Sequence, residues 1–461
     1  QKLYSAVFHE YLARILSKGT AIEYFIEGTR SRTGRLLQPK AGMLSMTVRS
    51  YLRSPTRPIM FQPIYVGYER LVEGSSYTAE LSGQKKKSES LGDLFKVFGI
   101  LKQRYGKVHV SFAEPVFLNE LLDLHTPGWL DRSLDEDERP GWLNPLVDTL
   151  GQQIMTGINQ ATHVNAINLL AAILLTTRKL AMDRSELGDQ LELYKDLLQN
   201  CSYSDRITIT EKSAEEIIAY GIELGAIENR EHPLGDIVAV APDRSALLTY
   251  FRNNISHLLA VPSLVASCFL NSRRMEKEQL HRIALRLYPF LKSELFLPWN
   301  EKEFEDAVDQ QIDWLVDKGL LNKLRRKQRL QRPDGGTRQD LQLRIIGHAL
   351  LQTFERYYNT VAIMAKNGSG SMSRSELERL CSLTAQRISQ LNEFAAPEFS
   401  DRYLFRHFIA LLRDNEILTT NEDEKIEYNS VIQQISDDAK FILSREIRHG
   451  IIRVAPQVLE E

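Results

Sequence analysis

The spacing of apolar residues changes near residue 145, and no other feature of the sequence constrains the fold as strongly. Ahead of this point, residues 22–26, 59–68 and 107–112 have the β-branched and aromatic composition of strands, and residues 39–52 show helical spacing. Beyond it, apolar residues recur every three to four positions over most of the chain up to residue 448. The pattern predicts an α/β domain followed by a mainly α-helical C-terminal region.

At 461 residues the chain is also too long for one compact domain. We predict an α/β domain at residues 1–125, a linker at 126–145 that is rich in proline, glycine and acidic residues, and a helical region at 146–461. Within the helical region, residues 226–240 resemble a pair of short strands, and no repeat of fixed period is visible. Pro63, inside the run 59–68, predicts a strand edge, a bulge or a strand end.

Charge is distributed unevenly along the chain, although the total is close to zero. The formal net charge is −2, yet residues 1–115 contain 18 basic and 9 acidic residues, whereas residues 116–461 contain 40 basic and 51 acidic ones. A basic front joined to an acidic rear predicts an anionic substrate or surface at the front. The three cysteines are far apart and form no CxxC pair, which argues against a disulfide framework or a zinc site.

The stretch 28–58 is basic and contains no acidic residue. Its seven basic residues are Arg30, Arg32, Arg35, Lys40, Arg49, Arg53 and Arg57. A strand, a glycine-bearing basic loop and a helix start in succession are suited to binding phosphate, because guanidinium groups, loop N–H groups and the helix N-terminus all attract anions. Glu27, at the expected strand end, could pair with Arg30 or bind a substrate hydroxyl. The alternative is a solvated basic loop with Glu27 as a surface counter-ion.

Several segments resemble one enzyme family. EGTRSR at residues 27–32 resembles the third conserved block of the glycerolipid acyltransferases, most closely that of the bacterial membrane-bound glycerol-3-phosphate acyltransferases. FQPIYVGYE at 61–69 is similar to the fourth block of that family, with Pro63 at its characteristic proline, and GQKKKSESL at 83–91 to a lysine-rich segment that follows. VSFAEPV at 110–116 resembles the strand that closes the catalytic domain. YFRNNISHLLAVPSL at 250–264 and LYPFLKSELFLPW at 287–299 resemble segments of the C-terminal region.

The resemblance implies a reaction and a set of site residues. The sn-1 hydroxyl of glycerol 3-phosphate would attack the thioester of acyl-CoA or acyl-acyl-carrier-protein, giving lysophosphatidate as the first step of phospholipid synthesis. The resemblance assigns Glu27 and Gly28 to the catalytic part of the third block. It assigns Arg30 and Ser31 to the substrate-contacting part of that block, and Pro63 to the substrate-associated proline. We add Arg32 and Lys40 as substrate-binding residues on the basis of charge. The resemblance implies no metal and no other cofactor.

One element of the family pattern is missing. In these enzymes a histidine and an aspartate separated by four residues supply the general base and the group that orients it, and none of the ten histidines here is followed by aspartate at that distance. The chain also opens on Gln1 rather than methionine. We therefore expect a fragment that lacks the N-terminal part and the His-x4-Asp block, and has negligible activity alone. A protein of the same fold that acts as a lipid-pathway scaffold is the alternative.

Charge and hydropathy also bear on contact with a membrane or a nucleic acid. The most apolar stretches, residues 166–177 and 255–270, are shorter than the ~20 residues of a spanning helix, so membrane contact would be peripheral. The family works at the cytoplasmic face of the bacterial inner membrane, so the resemblance implies the same location for this protein. The basic run 323–332 could be the wing of a winged-helix module, a membrane contact or an exposed hairpin. The acidic rear half argues against a nucleic-acid partner.

Overall fold

A computed structural model describes residues 2–53, 55–71, 105–131, 140–177, 179–201, 203–241, 244–324, 329–392 and 397–457. The front of the chain forms two small two-stranded antiparallel sheets packed on helices, as the α/β prediction requires. Its elements in chain order are α1 (Lys2–Ser17), α2 (Ala41–Arg53), β1 (Met60–Phe61), β2 (Ile64–Tyr68), β3 (Val108–Phe112), β4 (Val116–Phe117), α3 (Leu118–His125) and α4 (Leu143–Gln160). A 3-10 turn, Trp129–Asp131, lies between α3 and α4. The lysine-rich segment 83–91 lies outside the described residues.

Pro63 interrupts the predicted strand 59–68, as its missing N–H requires. The run becomes β1 and β2, which pair with β4 and β3 respectively, in register from Ile64 opposite Phe112 to Tyr68 opposite Val108. Pro63 itself lies between β1 and β2, and its carbonyl accepts a hydrogen bond from Ala113 N at 3.0 Å. The predicted strand 107–112 and the helix after Pro39 are confirmed as β3 and α2.

The predicted strand at residues 22–26 is wrong. These residues are irregular, and Phe25 is 83% exposed. A β-type composition makes a strand only where a neighbouring strand supplies hydrogen bonds, and among the described residues the run pairs with none. A hydrogen bond from Lys40 N to the Ile26 carbonyl at 2.8 Å ties this segment to the start of α2 instead.

The rear of the chain is mainly helical, as predicted, and it repeats one arrangement three times. After β5 (His163–Val164), the first unit runs α5 (Ala166–Leu174), β6 (Ala181–Asp183), α6 (Arg184–Asn200), β7 (Thr208–Ile209), α7 (Ala214–Glu223), β8 (Glu228–Arg230), β9 (Ile237–Ala239), α8 (Ser245–Asn254). The second runs α9 (Ala260–Ser267), β10 (Arg274–Glu276), α10 (Lys277–Leu295), α11 (Glu301–Asp317), β11 (Asn322–Leu324), β12 (Arg329–Gln331), α12 (Arg338–His348). The third runs α13 (Leu351–Asn367), α14 (Arg374–Asn392), α15 (Arg402–Asp414), β13 (Leu418–Thr420), β14 (Ile426–Tyr428), α16 (Val431–Ile442), followed by α17 (Arg445–Val454).

Each unit has the topology of a winged helix: helix, strand, helix, helix and a two-stranded wing. In the first two units the leading strand pairs with the last strand of the wing, giving the orders β6-β9-β8 and β10-β12-β11. In the third unit a single bridge, Ser373 with Lys425, stands in for that pairing. The helix after each wing packs on the first helix of its own unit. The strand-like pair expected at 226–240 is the wing of the first unit.

Short sequence matches accompany the repeat. MDRSEL at 182–187, MEKEQL at 275–280 and MSRSEL at 372–377 open the second helix of each unit, with the methionine and leucine buried. The third helix ends each time on a left-handed residue, Gly225, Gly319 or Glu416, and the next N–H bonds back five residues as in a Schellman motif. The matches are six residues long and 93 and 97 residues apart, too short and too far apart to stand out as a repeat in the sequence.

Two hydrophobic cores meet at the end of α10. The smaller one lies between α2, α3 and α4, and the larger one runs through the three repeat units. Phe296, directly after α10, is 2% exposed and packs in the smaller core, and its carbonyl accepts a hydrogen bond from Tyr203 at 2.9 Å. Asn159 on α4 donates to the Leu295 carbonyl at 2.7 Å. The end of α10 therefore joins the front of the chain to the rear.

Candidate functional site

Residues 27–40, here called the basic loop, form a compact loop whose two ends are held together. Lys40 N donates to the Ile26 carbonyl at 2.8 Å, and Leu37 N donates to the Glu27 carboxylate at 2.9 Å. Inside the loop, the Ser31 hydroxyl donates to the Arg35 carbonyl at 2.6 Å. A surface loop closed in this way and packed by its own side chains can carry functional groups in fixed positions.

Glu27 closes the loop through its side chain. Burial raises the pKa of its carboxyl group, and the hydrogen bond from Leu37 N acts in the opposite direction. A carboxylate that accepts a backbone N–H ten residues later holds the loop shut. The structure thus gives Glu27 a role in shaping the loop that the sequence did not suggest.

Gly28 has a backbone conformation that only glycine adopts readily. Its φ is +67°, and a Cβ placed there would lie 2.9 Å from Cγ of Lys40. The turn at Gly28 therefore needs a residue without a side chain, and it brings the stem of Lys40 against the first residues of the loop.

The basic side chains of the loop point in two directions. Arg30, Arg32 and Lys40 are exposed. Arg35 points inward: its side chain is 7% exposed, and its guanidinium lies 2.7 Å from the carboxylate of Glu294 on α10. The candidate substrate-binding cations are therefore on the outer side of the loop, directly before the N-terminus of α2, where the helix dipole also favours an anion.

Two further arginines of the acid-free stretch have protein partners. Arg57 Nη1 donates to the Lys18 carbonyl at 3.4 Å, and Arg53 lies 4.0 Å from Glu10. These contacts link α1 to the end of α2 and the residues beyond it.

Pro63 packs on the same helix as the basic loop. A Cβ at Gly157 of α4 would lie 3.0 Å from Pro63, and one at Gly151 would lie 3.1 Å from Pro39. The two glycines are six residues apart, about 9 Å along a helix axis at ~1.5 Å per residue. Pro63 and the basic loop thus both contact α4, at positions six residues apart along the helix.

The sequence interpretation missed the residues that hold the loop from the C-terminal region. Asn253 donates to the Thr33 carbonyl at 2.8 Å, Asn254 donates to the Gly34 carbonyl at 2.9 Å, and Glu294 pairs with Arg35. These side chains lie in segments 250–264 and 287–299, for which the sequence showed a family resemblance and no function. The resemblance identified these two segments as part of the family pattern. Their contacts with the loop form only in the tertiary fold.

The part of the chain that the structure describes contains neither a candidate metal cluster nor a candidate membrane-spanning helix. There, no three His, Cys, Asp or Glu side chains are grouped as a metal ion would require. In the same residues, no helix combines the length and apolar character needed to cross a bilayer. The site described above consists of a closed loop, exposed cations and a helix N-terminus.

Comparison with known proteins identifies the family. The family model described as the glycerol-3-phosphate acyltransferase C-terminal region matches residues 77–421, and a model described as acyltransferase matches residues 1–67. A glycerol-3-phosphate acyltransferase of Xanthomonas campestris pv. campestris is 49% identical over 458 residues, which is 99% of this chain and 52% of that protein.

Other relatives carry the same name. A glycerol-3-phosphate acyltransferase of Xylella fastidiosa is 47% identical over 99% of this chain, and one of Pseudomonas fluorescens is 42% identical over 98% of it. The chain spans about half the length of these relatives, 53% and 54% respectively. With a family model that covers most of its length and relatives that match nearly all of it, the chain belongs to the glycerol-3-phosphate acyltransferase family.

Proposed function

We propose that this chain is the substrate-phosphate-binding and C-terminal part of an enzyme that acylates glycerol 3-phosphate. The acyl group would come from acyl-CoA or acyl-acyl-carrier-protein and go to the sn-1 hydroxyl, giving lysophosphatidate for phospholipid synthesis. The observation that carries this proposal is the closed basic loop, which presents Arg30, Arg32 and Lys40 outward within a chain of this family.

In this proposal the chain contributes binding and orientation. Arg30 and Arg32, with Lys40, would bind the substrate phosphate through charge-assisted hydrogen bonds, and Ser31 and Pro63 would line the rest of the polyol site. Glu27 and Gly28 would set the loop conformation that aims these groups. A fixed phosphate places the free hydroxyl near the thioester, which removes much of the entropic cost of the reaction.

The general base would come from a His-x4-Asp block, which these 461 residues do not contain. General base catalysis contributes about 10²–10⁴-fold, so the chain alone should show negligible acyl transfer. Full turnover by the 461-residue chain alone would contradict this assignment.

The test is a substitution in the full-length protein, meaning this chain extended to the length of its relatives. Arg30→Ala should raise the KM for glycerol 3-phosphate about tenfold or more, because a hydrogen bond to a charged group contributes about 1.5–3 kcal/mol. The KM for the acyl donor should stay within about twofold, since this proposal assigns the loop to the phosphate of glycerol 3-phosphate.

Arg57→Ala is the matched control. Arg57 belongs to the same acid-free stretch but lies outside the basic loop, and its guanidinium bonds to the Lys18 carbonyl. It should leave both KM values nearly unchanged. Equal losses for both substrates in Arg30→Ala would contradict a role in phosphate binding.

We place the enzyme at the cytoplasmic face of the bacterial inner membrane as a peripheral protein, because its product partitions into lipid. A nucleic-acid partner is disfavoured although the units have winged-helix topology. The helices that stand where such domains carry their recognition helix are acidic in the first two units, α7 (AEEIIAYGIE) and α11 (EKEFEDAVDQQIDWLVD). In the third unit the corresponding helix, α15, contacts the basic loop through Tyr403 and His407. A scaffold without chemistry remains the alternative, and it predicts no acyl transfer by the full-length protein.

A further inference from the structure

The basic loop is attached to the rest of the molecule through a buried ion network on its inner side. Arg35 donates to Glu294 at 2.7 Å and to the Thr353 hydroxyl at 3.3 Å. Glu294 is 3% exposed and also binds Arg356, whose side chain is 1% exposed. Tyr357 donates to its second oxygen at 2.8 Å. One carboxylate therefore receives three donors in a site without solvent, which fixes its position and that of Arg35.

The loop backbone is held separately, at the residues just before Arg35. Asn253 and Asn254, at the end of α8, donate to the carbonyls of Thr33 and Gly34 at 2.8 and 2.9 Å. Gly34 has a φ of +78°, and a Cβ there would lie 2.2 Å from the Tyr250 carbonyl oxygen. The loop backbone therefore lies directly against α8, with no room for a side chain.

The last part of the loop contacts α10 again and one further helix, α15. The Gln38 amide donates to the Ser293 carbonyl at 3.1 Å and lies 3.3 Å from His407 Nε2. Its backbone N–H donates to the Tyr403 hydroxyl at 3.4 Å. Tyr403 and His407 lie on α15, the helix of the third unit that stands where a winged-helix domain carries its recognition helix.

These contacts place the loop where all three repeat units meet. Helix α8 closes the first unit, α10 belongs to the second, and α13 and α15 belong to the third. The inner contacts hold the loop while Arg30 and Arg32 face outward. The relative positions of the three units therefore decide where the outer guanidinium groups lie.

We infer that the C-terminal units set the substrate-binding geometry of the basic loop, with Glu294 and Gly34 as positioning residues for recognition of a phosphate monoester. The inference rests on the proposed function for its substrate. It assigns the helical region a role in binding glycerol 3-phosphate without contact to it. A displacement of about 1 Å in a substrate-binding group can lower activity about a hundredfold. Small shifts of the units would therefore change how well the site binds substrate.

The test compares two glycine substitutions in the full-length protein. Gly34→Ala places a methyl group against Tyr250, whereas Gly128→Ala, at the same φ of +78°, meets no atom within 4 Å. Both variants place alanine at the same positive φ, so their difference reports mainly the contact between the loop and α8.

Hydrogen exchange of residues 28–40 is the first measurement, and it does not depend on activity. Exchange in the loop should rise in Gly34→Ala and not in Gly128→Ala. Equal exchange in the two variants would overturn the inference, whatever the enzyme does.

Kinetics are the second measurement. Gly34→Ala should raise the KM for glycerol 3-phosphate about tenfold or more relative to Gly128→Ala, with the acyl-donor KM within about twofold. If loop exchange rises but both KM values stay equal to those of Gly128→Ala, the positioning role is wrong. If the unmodified protein transfers no acyl group, the proposed function fails, while the exchange result still decides whether the units hold the loop.

Discussion

At the scale of single residues, the arginines of the acid-free stretch 28–58 differ in how deeply they are buried. Arg35 is buried in an ion network, whereas Arg30 and Arg32 stay on the outer side of the same loop. Charge alone does not distinguish them, because a guanidinium serves equally well as a phosphate ligand and as a partner of a buried carboxylate. The distinction depends on a carboxylate 259 residues away in the chain.

The buried carboxylate should matter for stability as well as for binding. Burial opposes ionisation of Glu294, but Arg356 and Arg35 outweigh it and lower its pKa to about 2. Glu294→Gln leaves two buried guanidinium groups without their counter-charge and should destabilise the protein by about 3–5 kcal/mol. Urea denaturation with Glu294→Gln and the unmodified chain measures the difference.

Glu114→Gln is the matched control for that experiment. Glu114 pairs with Arg206 at the surface, where the two side chains are 69% and 47% exposed. The same substitution there should cost about 0–1 kcal/mol. Similar losses for the two variants would mean that the buried network contributes no more than a surface ion pair.

At the scale of elements, several helices of the repeat units are capped by the side chain that precedes them. Ser213 before α7 accepts from Glu216 N, and Glu216 bonds back to Ser213 N at 2.8 Å, forming a capping box. Asn300 before α11 and Asn165 before α5 form the same arrangement. Such caps satisfy N–H groups that a helix start otherwise leaves unpaired, so these three helices begin at a defined residue.

Ser213→Ala should therefore destabilise the first unit by about 1 kcal/mol. Ser430→Ala is the matched control, because Ser430 precedes α16 and its side chain makes no capping hydrogen bond. Both serines are exposed, so neither variant opens a cavity. Denaturation midpoints report the difference, and an equal effect in the two variants would show that the capping box contributes nothing.

At the scale of the whole molecule, the front and the rear share a buried polar boundary. His257, between α8 and α9, lies 3.2 Å from the Asn159 carbonyl of α4 through its Nε2. Burial lowers the pKa of His257 to about 3, and the hydrogen bond with Asn159 acts in the opposite direction. The ring is therefore neutral in the folded protein at pH 7.

This boundary should weaken in acid. An unfolded histidine takes up a proton below about pH 6.5, whereas folded His257 does so only near pH 3. The unfolded state then binds more protons, so His257 makes stability fall as pH drops from about 6.5 towards 3. His257→Gln should flatten this decline.

Stability of His257→Gln and the unmodified chain, measured by urea denaturation from pH 8 to pH 4, tests the pH dependence. Gln retains an N–H donor for the Asn159 carbonyl. The difference at pH 8 gives the packing cost, since the imidazole is neutral there in both states. Parallel pH profiles for the two proteins would contradict the assignment.

Local sequence patterns were sufficient to predict many of the helices and to recognise the family. Helical spacing predicted most of the rear helices, proline chemistry predicted the break at Pro63, and EGTRSR with its neighbours led to the family. These features involve residues a few positions apart, where periodicity, dihedral preference and motif spacing act directly.

Tertiary structure alone decided the remaining points. Residues 22–26 have strand composition but no strand partner among the described residues, and the winged-helix repeat is visible only once its strands pair. The inward turn of Arg35 and its hold by Glu294 depend on contacts between distant segments. Sequence determined the loop and its charges, because those are local, while the fold determined which charge holds the loop and which can meet a substrate, because burial is set by residues far away in the chain.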